Sequence, residues 1–314
     1  MKKRKLMVLT GPTAVGKTRL SIRLAKETGG EIISADSMQI YRHMDIGSAK
    51  ITEEEMDGVP HYLVNILDPK ENFNVFRFQR LAKQAMERIY ENGHIPILVG
   101  GTGFYIQSVL YDIDFEESES DFAYRKELET LAREKGAVFL HEMLRKVDAR
   151  SAELIHTNNV KRVIRALEYY QQTGTPISEH NDMERTKESP YDFCYFVLND
   201  RRELLYERIE KRVDKMLEDG LVEEVKKLKE MGCTMEHISM QGLGYKEILA
   251  YLDGSYDLDQ AIYLIKRDTR HFAKRQLTWF RRERDVIFID KDAFDYQDEK
   301  MIAYMKKCMR DRNL

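Results

Sequence analysis

The apolar positions of this chain change period along its length, and each change marks an element. Leu6-Met7-Val8-Leu9 is an unbroken apolar run, as a strand buried on both faces of a parallel sheet requires. Further strand-like runs follow at Glu31-Ile32-Ile33-Ser34, Ile95-Pro96-Ile97-Leu98-Val99, Asp192–Leu198 and Val286-Ile287-Phe288-Ile289. Between them apolar residues recur at helical spacing, at 20, 22, 24 and 25 and again at 78, 81, 82, 85, 86 and 89. Residues Arg201 to Met231 read as two helices broken at Asp219-Gly220, and Phe122 to Thr173 as helical throughout. Residues 181–190 are polar, end in Ser189-Pro190, and read as a loop. Strands alternating with helices predict an α/β fold built on a parallel sheet with flanking helices. The long helical stretch interrupts that alternation. It predicts a core made of residues 1–121 and 191–314 with an inserted all-helical domain over 122–190, entered through the acidic, glycine-free loop Asp112–Asp121.

Composition narrows the classes. The chain has 314 residues and a net charge of −3 with 33% charged residues, so a surface for nucleic acid must be a local patch. Cys194, Cys233 and Cys308 are far apart and form no C-x-x-C pair, which argues against a zinc site or a disulfide framework and for a reducing cytoplasm. The basic start Met1–Lys5 is followed by too short an apolar run for a signal peptide, and no stretch approaches membrane-spanning length.

The candidate chemistry starts at Gly11-Pro12-Thr13-Ala14-Val15-Gly16-Lys17-Thr18, a G-x-x-x-x-G-K-[ST] pattern between a strand and a helix. Its glycines let backbone N–H groups turn inward as an anion cradle, and the following helix adds the positive end of its dipole. Lys17 brings a full charge, and the Thr18 hydroxyl is a ligand for Mg²⁺. The fold expected is P-loop NTPase-like and its ligand a phosphate or diphosphate. Asp36 ends the second strand, on the rim where such sheets bind ligands; a turn-capping role is the alternative. The strand 95–99 ends in Gly100-Gly101-Thr102 rather than in the acid that holds Mg²⁺ in ordinary nucleotide hydrolases, which argues against an ATPase. Thr102 fits equally a helix N-cap or a turn that a substrate approaches closely. Arg208, Arg212 and Lys215 lie on related helix faces at spacings of four and three, suited either to clamping a diphosphate or to pairing with Glu207, Glu210 and Asp214 in solvent. The helix around 160–169 reads by spacing as amphipathic with a solvated basic face. Lys266–Arg284 carries eight Lys or Arg against two acids, interleaved with His271, Phe272, Trp279 and Phe280. Basic groups with aromatics on one element suit RNA, which makes Lys274, Arg275, Gln276 and Trp279 candidate contacts.

With those residues placed, the chain resembles the bacterial tRNA dimethylallyltransferase (tRNA isopentenyltransferase) family over about residues 6–290. The resemblance rests on Gly11–Thr18, Ser34–Tyr41 with Met44-Asp45-Ile46-Gly47, Gly100-Gly101-Thr102 with Tyr105, Ile155-His156 with Asn158-Asn159 and Arg162–Glu168, Gly244-Tyr245-Lys246-Glu247, and Ala273–Arg281. Ser48, Thr157 and Gly242 depart from the usual pattern, none at a position of expected chemistry, and three cysteines leave no room for the zinc finger of eukaryotic members. The family implies that the phosphate loop holds the diphosphate of dimethylallyl diphosphate and that the prenyl group moves to N6 of the adenosine 3′ of the anticodon, in tRNAs reading U-initial codons. It implies Asp36 as general base, Thr102 in the reaction channel, and the inserted domain on the anticodon stem-loop. Asp36, Ser37, Met38, Gln39, Thr102, Arg125, Asn158, Asn159, Val160, Lys161 and Arg162 are then the expected tRNA contacts. Mg²⁺ is the expected cofactor, and a cytoplasmic monomer the expected form. ATP, suggested by the loop pattern alone, is expected to give way to diphosphate. Competing classes are a kinase or free-adenylate prenyltransferase on the same fold, and a non-catalytic RNA-binding protein.

Overall fold

In the computed structural model the described residues are 3–115, 122–312 and 314. Six strands, β1 (Arg4–Thr10), β2 (Gly30–Ser34), β3 (His61–Tyr62), β4 (Ile95–Gly100), β5 (Tyr191–Asn199) and β6 (Val286–Asp290), form one sheet in the order β3-β2-β4-β1-β5-β6. Every pairing is parallel. β1 is central, with Met7 opposite Ile97 on one side and Cys194 on the other. Leu6, Met7, Val8 and Leu9 have no exposed surface, and each contributes about 1.5–3 kcal/mol by burial. β3 is too short to leave a pattern in the sequence. The other five strands are those the apolar runs predict, each within two residues at either end.

The helices are α1 (Lys17–Thr28), α2 (Glu53–Met56), α3 (Val75–Glu91), α4 (Gly103–Leu110), α5 (Phe122–Val147), α6 (Ala149–Leu154), α7 (Val160–Thr173), α8 (Ile177–Thr186), α9 (Arg202–Glu218), α10 (Leu221–Glu230), α11 (Tyr245–Leu252), α12 (Leu258–Phe280) and α13 (Asp298–Asp311). The chain forms two compact units, residues 1–110 with 190–314, and residues 111–189. Residue 121, where the acidic loop suggested a boundary, lies outside the described residues. The second unit is helical, with α5 interrupted at Gly136 (φ 85°), and its core joins Leu128, Leu140 and Leu144 to Val163, Ile164 and Leu167 of α7. One reading is corrected here. The polar stretch after 181 continues α8 as far as Thr186 instead of forming a loop. The first turn of α8 is tied down by Asp148, whose carboxylate accepts from the Ser178 N–H at 3.0 Å and hydroxyl at 2.7 Å. A helix anchored that way does not need an apolar stripe along its whole length.

Candidate active site at the strand ends

β2, β4 and β1 are neighbours in a parallel sheet, so the turns leaving their carboxyl ends share one rim. Those turns carry Asp36, Gly101-Thr102 and the phosphate loop. The loop bends through positive φ at Gly11 (144°) and Gly16 (97°), conformations an L side chain resists, and Gly16 caps the start of α1. Lys17 Nζ donates to the carbonyls of Gly11 and Pro12, each at 2.9 Å. Removal from water pushes Lys17 down to about 8, with the Arg212 charge adding to the shift and the Asp36 carboxylate opposing it. Arg212 Nη1 lies 3.5 Å from the Thr13 hydroxyl, and burial lowers its own pKa against the pull of Asp36 and Glu55. Lys17 and Arg212 form no ion pair with a carboxylate among the described residues. Two half-buried cations with no ion-paired carboxylate among the described residues are suited to hold an anion.

The two candidate arginines of α9 separate. Arg208 is bound to the buried carboxylate of Asp200, which also accepts from the Tyr296 hydroxyl at 3.2 Å and the Arg201 N–H at 2.7 Å. Arg212, one turn further, is the one that reaches the loop. Sequence reasoning missed Lys291, a buried lysine after β6 whose Nζ donates to the Val15 carbonyl at 3.1 Å, holding the loop from beneath. It also missed Glu224. That carboxylate accepts from three successive backbone N–H groups, Asp45, Ile46 and Gly47, at 2.8, 2.8 and 3.1 Å, and from the Tyr245 hydroxyl at 2.8 Å. The Asp45-Ile46-Gly47 and Gly244-Tyr245 motifs, some two hundred residues apart in, thus meet on one acid. No local signal marks either residue.

Asp36 does two things. Its Oδ1 accepts from the N–H groups of Met38 (2.8 Å) and Gln39 (3.3 Å), the turn cap of the alternative reading, while Oδ2 has no hydrogen bond among the described residues. Ser37, Met38 and Gln39 are half-buried, and the Gln39 amide donates to the Ala49 carbonyl at 3.1 Å. Thr102 starts α4 through its carbonyl, which accepts from Tyr105 N at 3.0 Å, and its N–H donates to Ala35 O at 3.2 Å. Thr18 lines a small cavity with Ser21, Ser34 and Gln39. The described residues contain no cluster of three or more His, Cys, Asp or Glu side chains fit to cage a metal. A single hydroxyl ligand fits Mg²⁺, which is held mostly by water and phosphate oxygens, and fits no all-protein site.

Along α12 the basic residues divide as well. Lys266 and Arg270 pair with Asp214 and Glu210 of α9, whereas Lys274 and Arg275 are exposed, the latter over the Phe272 ring at 5.8 Å. Gln276 is only 6% exposed, its amide turned into the protein, and Trp279 meets Phe104 edge to face at 6.3 Å. In the helical unit Asn158, Asn159, Lys161, Arg162 and Arg165 are exposed, and Val160 opens α7. Arg125 forks onto the buried Glu168, Nε to Oε1 at 2.7 Å and Nη2 to Oε2 at 2.6 Å.

Comparison with known proteins bears on this geometry. A family profile described as IPP transferase matches residues 39–283. A tRNA dimethylallyltransferase of Lachnoclostridium phytofermentans is 60% identical over 309 residues, 98% of either chain, and one of Acetivibrio thermocellus 52% identical over 301 residues, 96% of either. Among solved structures, the full-length tRNA isopentenylpyrophosphate transferase of Bacillus halodurans superposes with TM-score 0.75 at 45% identity, over 99% of this chain and 98% of that one. A eukaryotic dimethylallyltransferase acting on tRNA superposes with TM-score 0.79 at 32% identity, over 91% of this chain and 74% of that one.

Proposed function

The chain belongs to the IPP transferase family, and from that premise we propose that it transfers the dimethylallyl group of dimethylallyl diphosphate to N6 of the adenosine 3′ of the anticodon, in tRNAs that read codons beginning with U. Diphosphate is the leaving group. The observation that carries the reading is the pair of cations, Lys17 and Arg212, that are drawn out of water without an ion-pair partner among the described residues, on a rim shared with Asp36. As the bond from C1 to the diphosphate oxygen lengthens, negative charge grows where Lys17, Arg212 and the loop N–H groups converge, and fixed charges in a crowded site are worth most there. The adenine amine is a weak nucleophile and must lose its proton as it attacks. Asp36 Oδ2 is the acceptor, held in place because Oδ1 is occupied by the turn. Thr102, on the adjacent turn, lines the channel between donor and acceptor.

When bound, Mg²⁺ would neutralise diphosphate oxygens, with the Thr18 hydroxyl as its protein ligand. The tRNA anticodon stem-loop meets the helical unit through Asn158–Arg162, with the exposed Lys274 and Arg275 as further phosphate contacts. The buried Gln276 has no such role. No helix among the described residues is long and apolar enough to cross a membrane. The enzyme acts as a cytoplasmic monomer, with diphosphate rather than ATP on its loop. Incubation with dimethylallyl diphosphate labelled in the prenyl group, offering unmodified tRNA or AMP, tests the reading: label enters tRNA. Label in AMP instead, or hydrolysis of ATP stimulated by tRNA, overturns it.

A further inference from the structure

Donor and acceptor groups of this site come from different turns, and a transfer between them depends on the spacing of those turns to a fraction of an ångström. The Gln276 side chain joins them. Gln276 Oε1 accepts from the N–H of Thr13 in the phosphate loop at 2.9 Å, and Gln276 Nε2 donates to the carbonyl of Gly101 at 2.9 Å. From Gly101 the connection runs on. Thr102 N donates to the Ala35 carbonyl at 3.2 Å, and Ala35 precedes Asp36. The contact is tight as well as polar. A Cβ on Gly101 would overlap Gln276 Nε2, one on Gly103 would overlap the Trp279 ring, and one on Gly100 would overlap the Ala35 backbone. These glycines therefore admit protein, namely α12 and the end of β2, to the turn.

We propose that Gln276 is a positioning residue that sets the distance between the diphosphate-holding loop and the Thr102–Asp36 platform. Its amide is suited to this because one end accepts and the other donates, matching an N–H on the loop and a carbonyl on the turn. A carboxylate at this position keeps the Thr13 contact but faces the Gly101 carbonyl with a second acceptor, and a thioether of the same length makes neither bond. The residue touches neither substrate in this assignment. It acts through Thr13 and Gly101. The proposal rests on the prenyl-transfer reading above.

The test is single-turnover prenylation of tRNA at saturating dimethylallyl diphosphate for the wild type, Gln276→Met and Gln276→Glu, alongside the Kd for tRNA, the Kd for inorganic diphosphate and the Tm. Wild-type transfer is the control, and its absence would sink the functional reading rather than this one. The saturated rate should fall about 100-fold in Gln276→Met, as misplacement by about 1 Å does, with each Kd within about threefold of wild type. Gln276→Glu should be slowed as well, because half of the bridge is lost. Saturated rates within about threefold of wild type in either variant overturn the proposal. So does a Kd for tRNA that weakens while the saturated rate holds, which would make Gln276 an RNA contact. If Gln276→Met does not fold, Gln276→Glu decides by the same criteria, and failure of both to fold makes Gln276 a stability residue and also overturns it.

Discussion

The phosphate rim and the basic face of α7 both hold cations that form no ion pair among the described residues, yet they hold them differently. At the rim, Lys17 and Arg212 are half-buried, lose hydration, and shift down in pKa. On α7, Lys161, Arg162 and Arg165 stand in solvent on a helix whose opposite face, Val163, Ile164 and Leu167, is buried. Desolvation makes the rim strong and short in range, suited to one small polyanion in one place. Full hydration makes the helix face weak per charge and tolerant of position, suited to a long phosphate backbone. Single substitutions should therefore be decisive at the rim and graded on α7.

Lys17→Ala breaks the comparison if it is wrong. Turnover of dimethylallyl diphosphate should fall at least about a thousandfold, and a steady-state assay with tRNA as acceptor that keeps more than a tenth of the rate would show the rim is not the donor site. Asp36→Asn comes next. Asparagine still accepts from Met38 N, so the turn and the Tm should hold, but it cannot take the adenine proton, and kcat should fall about a hundred- to ten-thousandfold with tRNA affinity nearly unchanged. Near-normal single-turnover rates would leave Asp36 a turn residue only. Recovery at high Mg²⁺ would make it a metal ligand.

Acidity sharpens the contrast. Lys17 is pushed down to about 8, so it is charged below that pH and neutral above it until a polyanion binds. Binding of inorganic diphosphate should then weaken with rising pH beyond about 8, by up to about tenfold per unit, with a proton taken up on binding. Calorimetry in buffers of different ionisation enthalpy reads that uptake, and a flat affinity from pH 7 to 9.5 would contradict the crowding argument. The smallest effect belongs to α7. Arg162→Ala should raise the KM for tRNA a few-fold and reduce its salt slope by about one, leaving the KM for dimethylallyl diphosphate alone. A change in the donor KM without one in the tRNA KM would mean the helical unit has been misassigned.

Much of the site was legible from local chemistry. The glycine loop needs positive φ at Gly11 and Gly16, and that demand is written into residue type. All strands but the two-residue β3 announce themselves through short apolar runs, and the resemblance to the family followed from motifs each only a few residues long. Period, turn and cap preferences act between near neighbours, so a sequence displays them directly. What it could not display is which polar group meets which. Arg208 and Arg212 share a helix face, yet the fold sets Asp200 against one and the phosphate loop against the other. Gln276 sat in a basic, aromatic stretch that read as an RNA surface, and its amide instead spans partners 263 and 175 residues away. Neutralisation and hydrogen bonding act over about 3–4 Å in space. Contacts of that reach between residues so distant along the chain exist only once the sheet has brought its strand ends together.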